Sequence, residues 1–419
     1  RLTCNGRGSL ELRADNELTG GFSTQTANVH AYRDASFSAT GDGTVEILRN
    51  GASRWGRLWL HGVTLKNPIT EVDNNDHRHG LVSAAGTTNV LQGRLTTSSS
   101  IFIGVQKNST LILEGGARSE NQNLFRPCGG YSGGDKTSGT GDKTSWLIVR
   151  NKPLENFQGL SYDEMCCTRY EVAGIDFAKN QQNEKQKYSG VTVMARVETA
   201  VPYVFDYADG SGALRRLHAT LDLCGNDQRL GGFTFMDYND GLITSEQPAT
   251  LYLVQKLMQS NGASNPAIQP LKQDIAGAVS LSKAGTNTTY LTGTKTTTGR
   301  LEVTEGDLVL DANAAWTGTE VVVAGTNEVA SAGTKVLPGN LVLRASTNLN
   351  KESVVKVYGG GTLTIDAGKV VRVKEVWVAD ENGVLVKQDP NNYTKGNCAF
   401  VKGDGMLRTS GLGLVFIVR

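Results

Sequence analysis

Short runs of alternating apolar and polar residues, most of them preceded by glycine, recur along the whole chain. Seven of them are clear: Gly8–Leu12, Gly43–Leu48, Ser109–Leu113, Ala249–Leu253, Gly277–Leu281, Gly306–Leu310 and Gly361–Ile365. An alternation with period two directs every second side chain inward, which is typical of a half-buried strand. The preceding glycine supplies the tight corner that a turning chain requires. The sequence therefore predicts an all-β protein.

A strand of this kind cannot bury its apolar face alone, so successive units are expected to stack and share one core. The composition agrees, because 50 of 419 residues are glycine and the hydrophobic content of 38% suffices for a thin core. These features predict a solenoid, which lengthens without enlarging a central core. A two-sheet sandwich is the competing architecture for evenly spaced strands, but it would require the chain to split into several domains.

The charge and the hydropathy pattern exclude several classes of partner. The chain has 42 basic and 41 acidic residues, without the clustered basic surface that nucleic-acid binding needs. No window approaches the 18 apolar residues of a transmembrane helix. The six cysteines show neither a CxxC pair nor a Cys/His metal spacing. We expect no nucleic-acid partner, no transmembrane segment, no metal and no cofactor.

Longer phrases repeat a common plan. Leu221–Leu253 combines a strand, a "GN-Q" turn, a Gly-Gly step and a closing "ATL" strand, and Gly277–Gly318 joins a Thr-rich strand to "V-EG-LVL". Leu58–Thr70 fits the form "L-L-GVTL-NPIT", and Trp377–Leu407 has the "NNYT…GDGML" ending of a terminal unit. Together these phrases resemble the autotransporter-associated β-strand repeat of passenger-type surface proteins from Gram-negative bacteria. The resemblance covers about residues 200–410 and part of residues 1–120.

This resemblance implies a right-handed parallel β-helix, a solenoid that is exported and displayed at the bacterial outer surface or secreted beyond it. The family has no common catalytic residues to carry over. On this basis residues 1–120 are expected to form β-helix rungs, and residues 121–200 rungs with irregular insertions. Residues 201–419 are expected to form further repeats with a terminal unit. The insertions are the Gly-rich loop Gly129–Ser145 and the partly helix-compatible segment Lys152–Lys187, and Leu257–Asp274 is a further loop or short helix.

The densest cluster of functional side chains is Asp73–His79, in which Asp73, Asp76 and His77 are the catalytic candidates. Carboxylates on adjacent rungs could serve acid/base hydrolysis of a polysaccharide, and the oxygen ligands could instead bind Ca²⁺. The cluster also directly follows a repeat phrase, where a solvated turn is expected. All three interpretations stay open.

The binding candidates are aromatic. Trp55 and Trp59 would fall on one strand face and could stack on sugar rings, or they could pack as core residues. Tyr131 lies in the segment Gly130–Gly134, which fits G-x-S-x-G but lacks the following helix that a nucleophile elbow needs. The histidines His30, His61, His77, His79 and His218 have no shared spacing, so we expect no zinc site.

The leading interpretation is a non-enzymatic extracellular surface protein: an adhesin, stalk or matrix component that contacts glycans or a host or matrix surface. One alternative is a self-assembling fibre or surface-layer subunit, because unpaired solenoid ends can pair with another chain. Another is a carbohydrate-active β-helix enzyme, a polysaccharide lyase or glycosidase, whose acid and base groups would converge from adjacent rungs.

Overall fold

The structure is a computed structural model. It describes residues 1–48, 56–71, 80–98, 101–121, 124–129, 142–157, 159–160, 166–172, 191–193, 220–230, 232–234, 242–254, 271, 273–284, 288–324, 338–389 and 391–409. Every regular element within these ranges is a β-strand, which confirms the all-β prediction for this part of the chain. Within the described ranges, no helix has the length and apolar character needed to cross a membrane.

The chain divides into two compact units, Arg1–Leu242 and Ile243–Arg419. The predicted divisions at residues 120 and 200 stay predictions. The strands of the first unit are β1 Leu2–Cys4, β2 Ser9–Leu12, β3 Phe22–Thr24, β4 Asn28–Ala31, β5 Val45–Ile47, β6 Arg57–Leu60, β7 Thr64–Leu65, β8 Ile69–Glu71, β9 Leu81–Ser83, β10 Thr88–Leu91, β11 Leu95–Thr97, β12 Ile101–Val105, β13 Thr110–Leu113, β14 Ala117–Ser119, β15 Leu124–Gly129, β16 Asp142–Val149, β17 Leu154–Glu155, β18 Gly159–Leu160, β19 Cys166–Tyr170, β20 Val191–Val193, β21 Thr220–Asp222, β22 Gln228–Leu230 and β23 Gly232–Thr234.

Strand β24, Leu242–Thr244, lies at the boundary between the units. The strands of the second unit are β25 Ala249–Val254, β26 Asp274–Gly277, β27 Val279–Ala284, β28 Thr289–Leu291, β29 Thr294–Thr297, β30 Leu301–Val303, β31 Gly306–Leu310, β32 Ala315–Trp316, β33 Glu320–Val323, β34 Gly339–Leu343, β35 Val354–Val357, β36 Thr362–Ile365, β37 Val370–Val373, β38 Glu375–Ala379, β39 Leu385–Lys387, β40 Asn392–Tyr393, β41 Val401–Lys402 and β42 Met406–Thr409.

Three parallel sheets organise the first unit. The first has the order β1-β3-β5-β8-β11-β14-β17, the second β2-β4-β6-β9-β12-β15-β18, and the third includes β7-β10-β13-β16-β19-β21. From β5 to β19 the chain visits these sheets in a fixed rotation, so each strand pairs with the strand that occupies the same sheet on the next pass. Leu2 pairs with Phe22, twenty residues on, and Ala117 pairs with Leu154, thirty-seven residues on. The chain length between paired strands is therefore variable.

The second unit has two sheets of the order β25-β27-β30-β33-β35-β38-β39 and β28-β31-β34-β36-β41, and β26, β29 and β32 are neighbours in a third. The pairs are parallel except β38 with β39 and β40 with β42, which are antiparallel. Inward side chains stack in register from strand to strand, as in the fully buried column Leu281, Leu301, Val321, Val355 and Val376. The core of each unit is thus built from like-placed aliphatic side chains on successive strands.

Asparagine amides join the corners of successive passes. The Nδ2 of Asn348 donates to the carbonyls of Asp311 (2.8 Å) and Ala314 (2.6 Å), and its Oδ1 accepts from the amide of Ala345 (2.6 Å). In the first unit, Nδ2 of Asn156 likewise donates to the carbonyl of Ser119, thirty-seven residues earlier. Each of these bonds joins a turn of one pass to the corresponding turn of the neighbouring pass.

Candidate functional site

Six polar and aromatic side chains gather on the outer side of the second sheet in the first unit. We call them the aromatic–histidine face: Glu11, Arg13, His30, Tyr32, Trp59 and His61. They lie there because Leu12, Ala31 and Leu60 are buried in the core, and alternate residues of a strand point to opposite sides.

The register of β2, β4 and β6 aligns these side chains in two columns. Glu11 pairs with His30, and His30 pairs with Trp59. The residues two places further on extend the same ladder, because the amide of Tyr32 donates to the carbonyl of Leu12 (3.1 Å) and that of His61 to Ala31 (3.0 Å). Arg13, Tyr32 and His61 therefore form the second column.

The four rings of the face are stacked nearly parallel. The ring centroids of His30 and Trp59 lie 5.6 Å apart with an interplanar angle of 11°, and those of Tyr32 and His61 lie 4.2 Å apart at 16°. The two imidazoles are 5.2 Å apart at 28°. The guanidinium of Arg13 lies 4.2 Å from the centroid of the Tyr32 ring, a cation–π contact that covers one end of the stack.

The two imidazoles share a hydrogen bond. His30 Nδ1 and His61 Nε2 are 2.9 Å apart, and one of the two nitrogens must carry the proton while the other accepts it. Partial burial lowers the pKa of both rings, and for His61 a charge on His30 lowers it further. The Glu11 carboxylate acts in the opposite direction on both. The pair is therefore held in its neutral form near pH 7.

Two charged groups border the rings. Arg13 Nε donates to Glu11 Oε2 at 2.7 Å, and this hydrogen bond together with the positive charge lowers the pKa of Glu11. Both side chains are solvent-exposed, so the ion pair orients the guanidinium over Tyr32 more than it stabilises the fold. The face consequently presents one cation and one anion beside a neutral ring stack.

The imidazole pair makes the first unit sensitive to acid. Because the pKa of each ring is below 6.5 in the folded chain, the unfolded chain takes up protons first as pH falls. The free energy of unfolding of the first unit is therefore highest above pH 6.5 and decreases as the pH falls below that value. We expect the urea midpoint of wild type to drop between pH 7.5 and pH 5, and the double variant His30→Gln/His61→Gln to show a smaller drop.

Glu11→Gln supplies a control of opposite sign. Its carboxylate raises the pKa of both imidazoles, so its removal should enlarge the acid-induced drop. An equal drop in wild type and in the double glutamine variant would show that the imidazole pair has no part in the acid response.

The arrangement suits hydrogen bonding to a ligand with many hydroxyl groups. Parallel stacking turns the ring faces toward one another, so a ligand on the outer side of the sheet would meet ring edges. The indole N–H of Trp59 is buried and does not reach that side. None of the six residues is a Ser, Thr or Cys nucleophile. Across the part of the chain that the structure describes, no three His, Cys, Asp or Glu side chains are placed to hold a metal ion.

Of the residues predicted to bind or catalyse, Trp59 belongs to this face. It is half-buried on the outer side of the sheet, and its Nε1 has no hydrogen-bond partner among the described residues. Asp73, Asp76, His77, Trp55 and Tyr131 lie outside the residues that the structure describes.

Sequence reasoning missed His30 and His61, which are separated by 31 residues. The signal that could have found them is the alignment of two strands one pass apart, "VHAY" at 29–32 and "LWLH" at 58–61. In that alignment His30 falls opposite Trp59, and Tyr32 falls opposite His61.

The chain was compared with protein-family models, with curated proteins and with solved structures, and none of the three comparisons finds a match.

Proposed function

We propose that the chain is a non-enzymatic extracellular surface protein, an adhesin or matrix component, in which a right-handed parallel β-helix displays the aromatic–histidine face to glycans. Two features support the β-helix: the fixed rotation of the chain among three sheets, and the parallel pairing of each strand with its counterpart on the next pass. Export and display at the outer surface rest on the resemblance of the repeat phrases to passenger-type proteins.

The aligned stack of His30, Tyr32, Trp59 and His61 carries the proposal of glycan binding. Sugars combine apolar C–H surfaces with hydroxyl groups, and the edges of tyrosine and histidine rings carry both C–H and polar groups. The rings are held by mutual stacking, by the imidazole hydrogen bond and by Arg13 over Tyr32. Such preorganisation reduces the entropy lost when a ligand is bound.

The test is a glycan-array measurement on wild type and on the double variant Tyr32→Ala/Trp59→Ala. We expect wild type to bind at least one surface polysaccharide and the double variant to bind it about tenfold more weakly or worse, a loss of about 1.4 kcal/mol. Two truncated rings remove stacking area and leave the imidazoles without their neighbours.

Trp377→Ala is the matched control, because Trp377 is also a half-buried outer-side tryptophan, on β38 of the second unit. Thermal unfolding of each variant establishes that it is folded. The proposal fails if wild type binds no glycan on the array, or if the double variant binds as tightly as Trp377→Ala.

A further inference from the structure

A second organised face lies in the other unit, on the outer side of the sheet that contains β28, β31, β34 and β36. We call it the Asp307–Asn340 face. Its residues are half-exposed with the exception of Val309, which is 4% exposed. They are Thr288, Tyr290, Asp307, Val309, Asp311, Asn340, Val342, Arg344, Thr362 and Thr364.

One side of this face is a continuous hydrogen-bonded row. Asn340 Nδ2 donates to Asp307 Oδ1 at 2.9 Å, and Thr288 Oγ1 donates to Asp307 Oδ2 at 3.3 Å. The Oδ1 of Asn340 accepts from the hydroxyls of Thr362 (3.0 Å) and Thr364 (2.9 Å). The row runs across four strands, since Asp307 pairs with Asn340 and Asn340 with Thr362. Its planar carboxylate and amide are thereby fixed in orientation.

The opposite side carries a second planar polar group. Arg344 Nη1 pairs with Asp311 Oδ1 at 3.2 Å, and the Arg344 guanidinium lies 5.5 Å from the centroid of the Tyr290 ring. These contacts hold the guanidinium beside the sheet. The guanidinium is thus held against both Asp311 and Tyr290.

An apolar row crosses the same strands, and its accessible members are Tyr290 and Val342, because Val309 between them is only 4% exposed. Tyr290 pairs with Val309, and Val309 pairs with Val342, so the three side chains follow one another on adjacent strands. An apolar strip bordered by a few oriented polar groups is the usual composition of a small-molecule site. A sugar ring has the complementary arrangement, with C–H groups on its faces and hydroxyls around its edge.

The spacing and the charge of the face narrow the ligand class. Adjacent strands are about 4.8 Å apart, close to the length of one residue in an extended β-1,4-linked polysaccharide, so successive sugars would meet successive strands. Asp311 is neutralised by Arg344, which leaves Asp307 as an anion in the polar row and disfavours a polyanionic chain. We propose that the Asp307–Asn340 face is a second saccharide site, which takes a neutral linear polysaccharide along the direction in which the strands stack.

Calorimetric titration of the full chain with cellohexaose, mannohexaose and chitohexaose tests this site, with hexagalacturonate as the anionic counterpart. We expect wild type to bind at least one neutral hexamer, and Tyr290→Ala and Asn340→Ala each to weaken that binding about tenfold. Asp307→Asn preserves the shape of the side chain and removes its charge. It should retain neutral binding and gain affinity for hexagalacturonate.

Lys356→Gln is the control, because Lys356 pairs with Glu320 on a different sheet of the same unit, and it should bind as wild type. Unfolding curves establish that every variant is folded. The proposal is overturned if no neutral hexamer binds, or if Tyr290→Ala and Asn340→Ala bind as tightly as Lys356→Gln. It is also overturned if Tyr32→Ala/Trp59→Ala alone abolishes hexamer binding, a result that would leave the proposed function intact.

Discussion

Replacement of Gly318 with alanine is expected to lower the free energy of unfolding of the second unit by about 3 kcal/mol or more. A Cβ at Gly318 would lie 2.0 Å from the carbonyl oxygen of Gly299, and a Cβ at Gly299 would lie 2.1 Å from that of Val279. Successive passes of the chain therefore approach so closely at this corner that a methyl group fits only if backbone moves. Backbone atoms in a stacked corner cannot shift without disturbing the neighbouring passes.

Gly359→Ala is the matched control for this prediction. An added Cβ at Gly359 meets nothing within 4 Å, and its backbone lies outside the left-handed region, so we expect a change within about 0.5 kcal/mol. In the first unit, Gly93→Ala should lower the free energy of unfolding by as much as Gly318→Ala does in the second, because its Cβ would lie 2.0 Å from the carbonyl oxygen of Asn67. Urea unfolding measures all three. Equal stability of Gly318→Ala and Gly359→Ala would contradict the close approach of the passes.

The second large effect is an alkaline stabilisation produced by two buried lysines. Lys283 and Lys295 are 0% and 1% exposed. Lys283 Nζ donates to the carbonyl of Glu305 at 2.6 Å, and Lys295 Nζ donates to the carbonyls of Gln273 and Thr292. Burial lowers the pKa of each from 10.5 to about 8, against an opposing effect of nearby carboxylates.

Between pH 8 and pH 10.5 the unfolded chain therefore binds more protons than the folded chain, so raising the pH favours folding. The unfavourable free energy of burying each charged amine applies in full below pH 8 and disappears as the pH rises to 10.5. A shift of this size corresponds to about 3 kcal/mol for each lysine. We expect the free energy of unfolding of wild type to gain that amount per lysine over this interval, relative to variants that lack the amine.

Lys295→Met and Lys283→Met should each remove about 3 kcal/mol of this rise, as measured by urea unfolding at pH 8 and pH 10.5. Lys369→Met is the control, because Lys369 is exposed in a turn. The free energy of unfolding of this variant should increase between pH 8 and pH 10.5 by as much as that of wild type. Comparison among variants cancels the ionisation of tyrosines and cysteines, which all of them share. An unchanged increase in the double variant Lys283→Met/Lys295→Met, measured over the same pH interval, would contradict the burial of both amines.

The strands themselves could be predicted from the sequence because a half-buried strand has a local signature. The predicted strand Gly306–Leu310 has the same bounds as β31, and the predicted strand Ser109–Leu113 contains β13. Gly277–Leu281 is different: it contains a corner, since Gly277 ends β26 with φ +71° and β27 begins at Val279. Alternation shows which residues point inward, but it does not locate a corner at which two short strands of different sheets meet.

The aromatic–histidine face could not be predicted in the same way, because it depends on pairing between distant strands. Glu11 and His30 are nineteen residues apart, whereas His30 and Trp59, the next pair in the same column, are twenty-nine apart. No fixed period connects them, so the register follows from corners and core packing. Lys295 is a similar case: it stands between two threonines in the sequence, and its partner at Gln273 belongs to an earlier pass.

We propose that the protein binds a polysaccharide through an outer face of its sheets and does not cleave it. The most direct test is size-exclusion analysis of a bound polysaccharide after prolonged incubation with the purified chain. We expect the polysaccharide to remain bound and to keep its original chain length. Shorter products that accumulate in proportion to protein would contradict it, and would assign the chain to the carbohydrate-active enzymes.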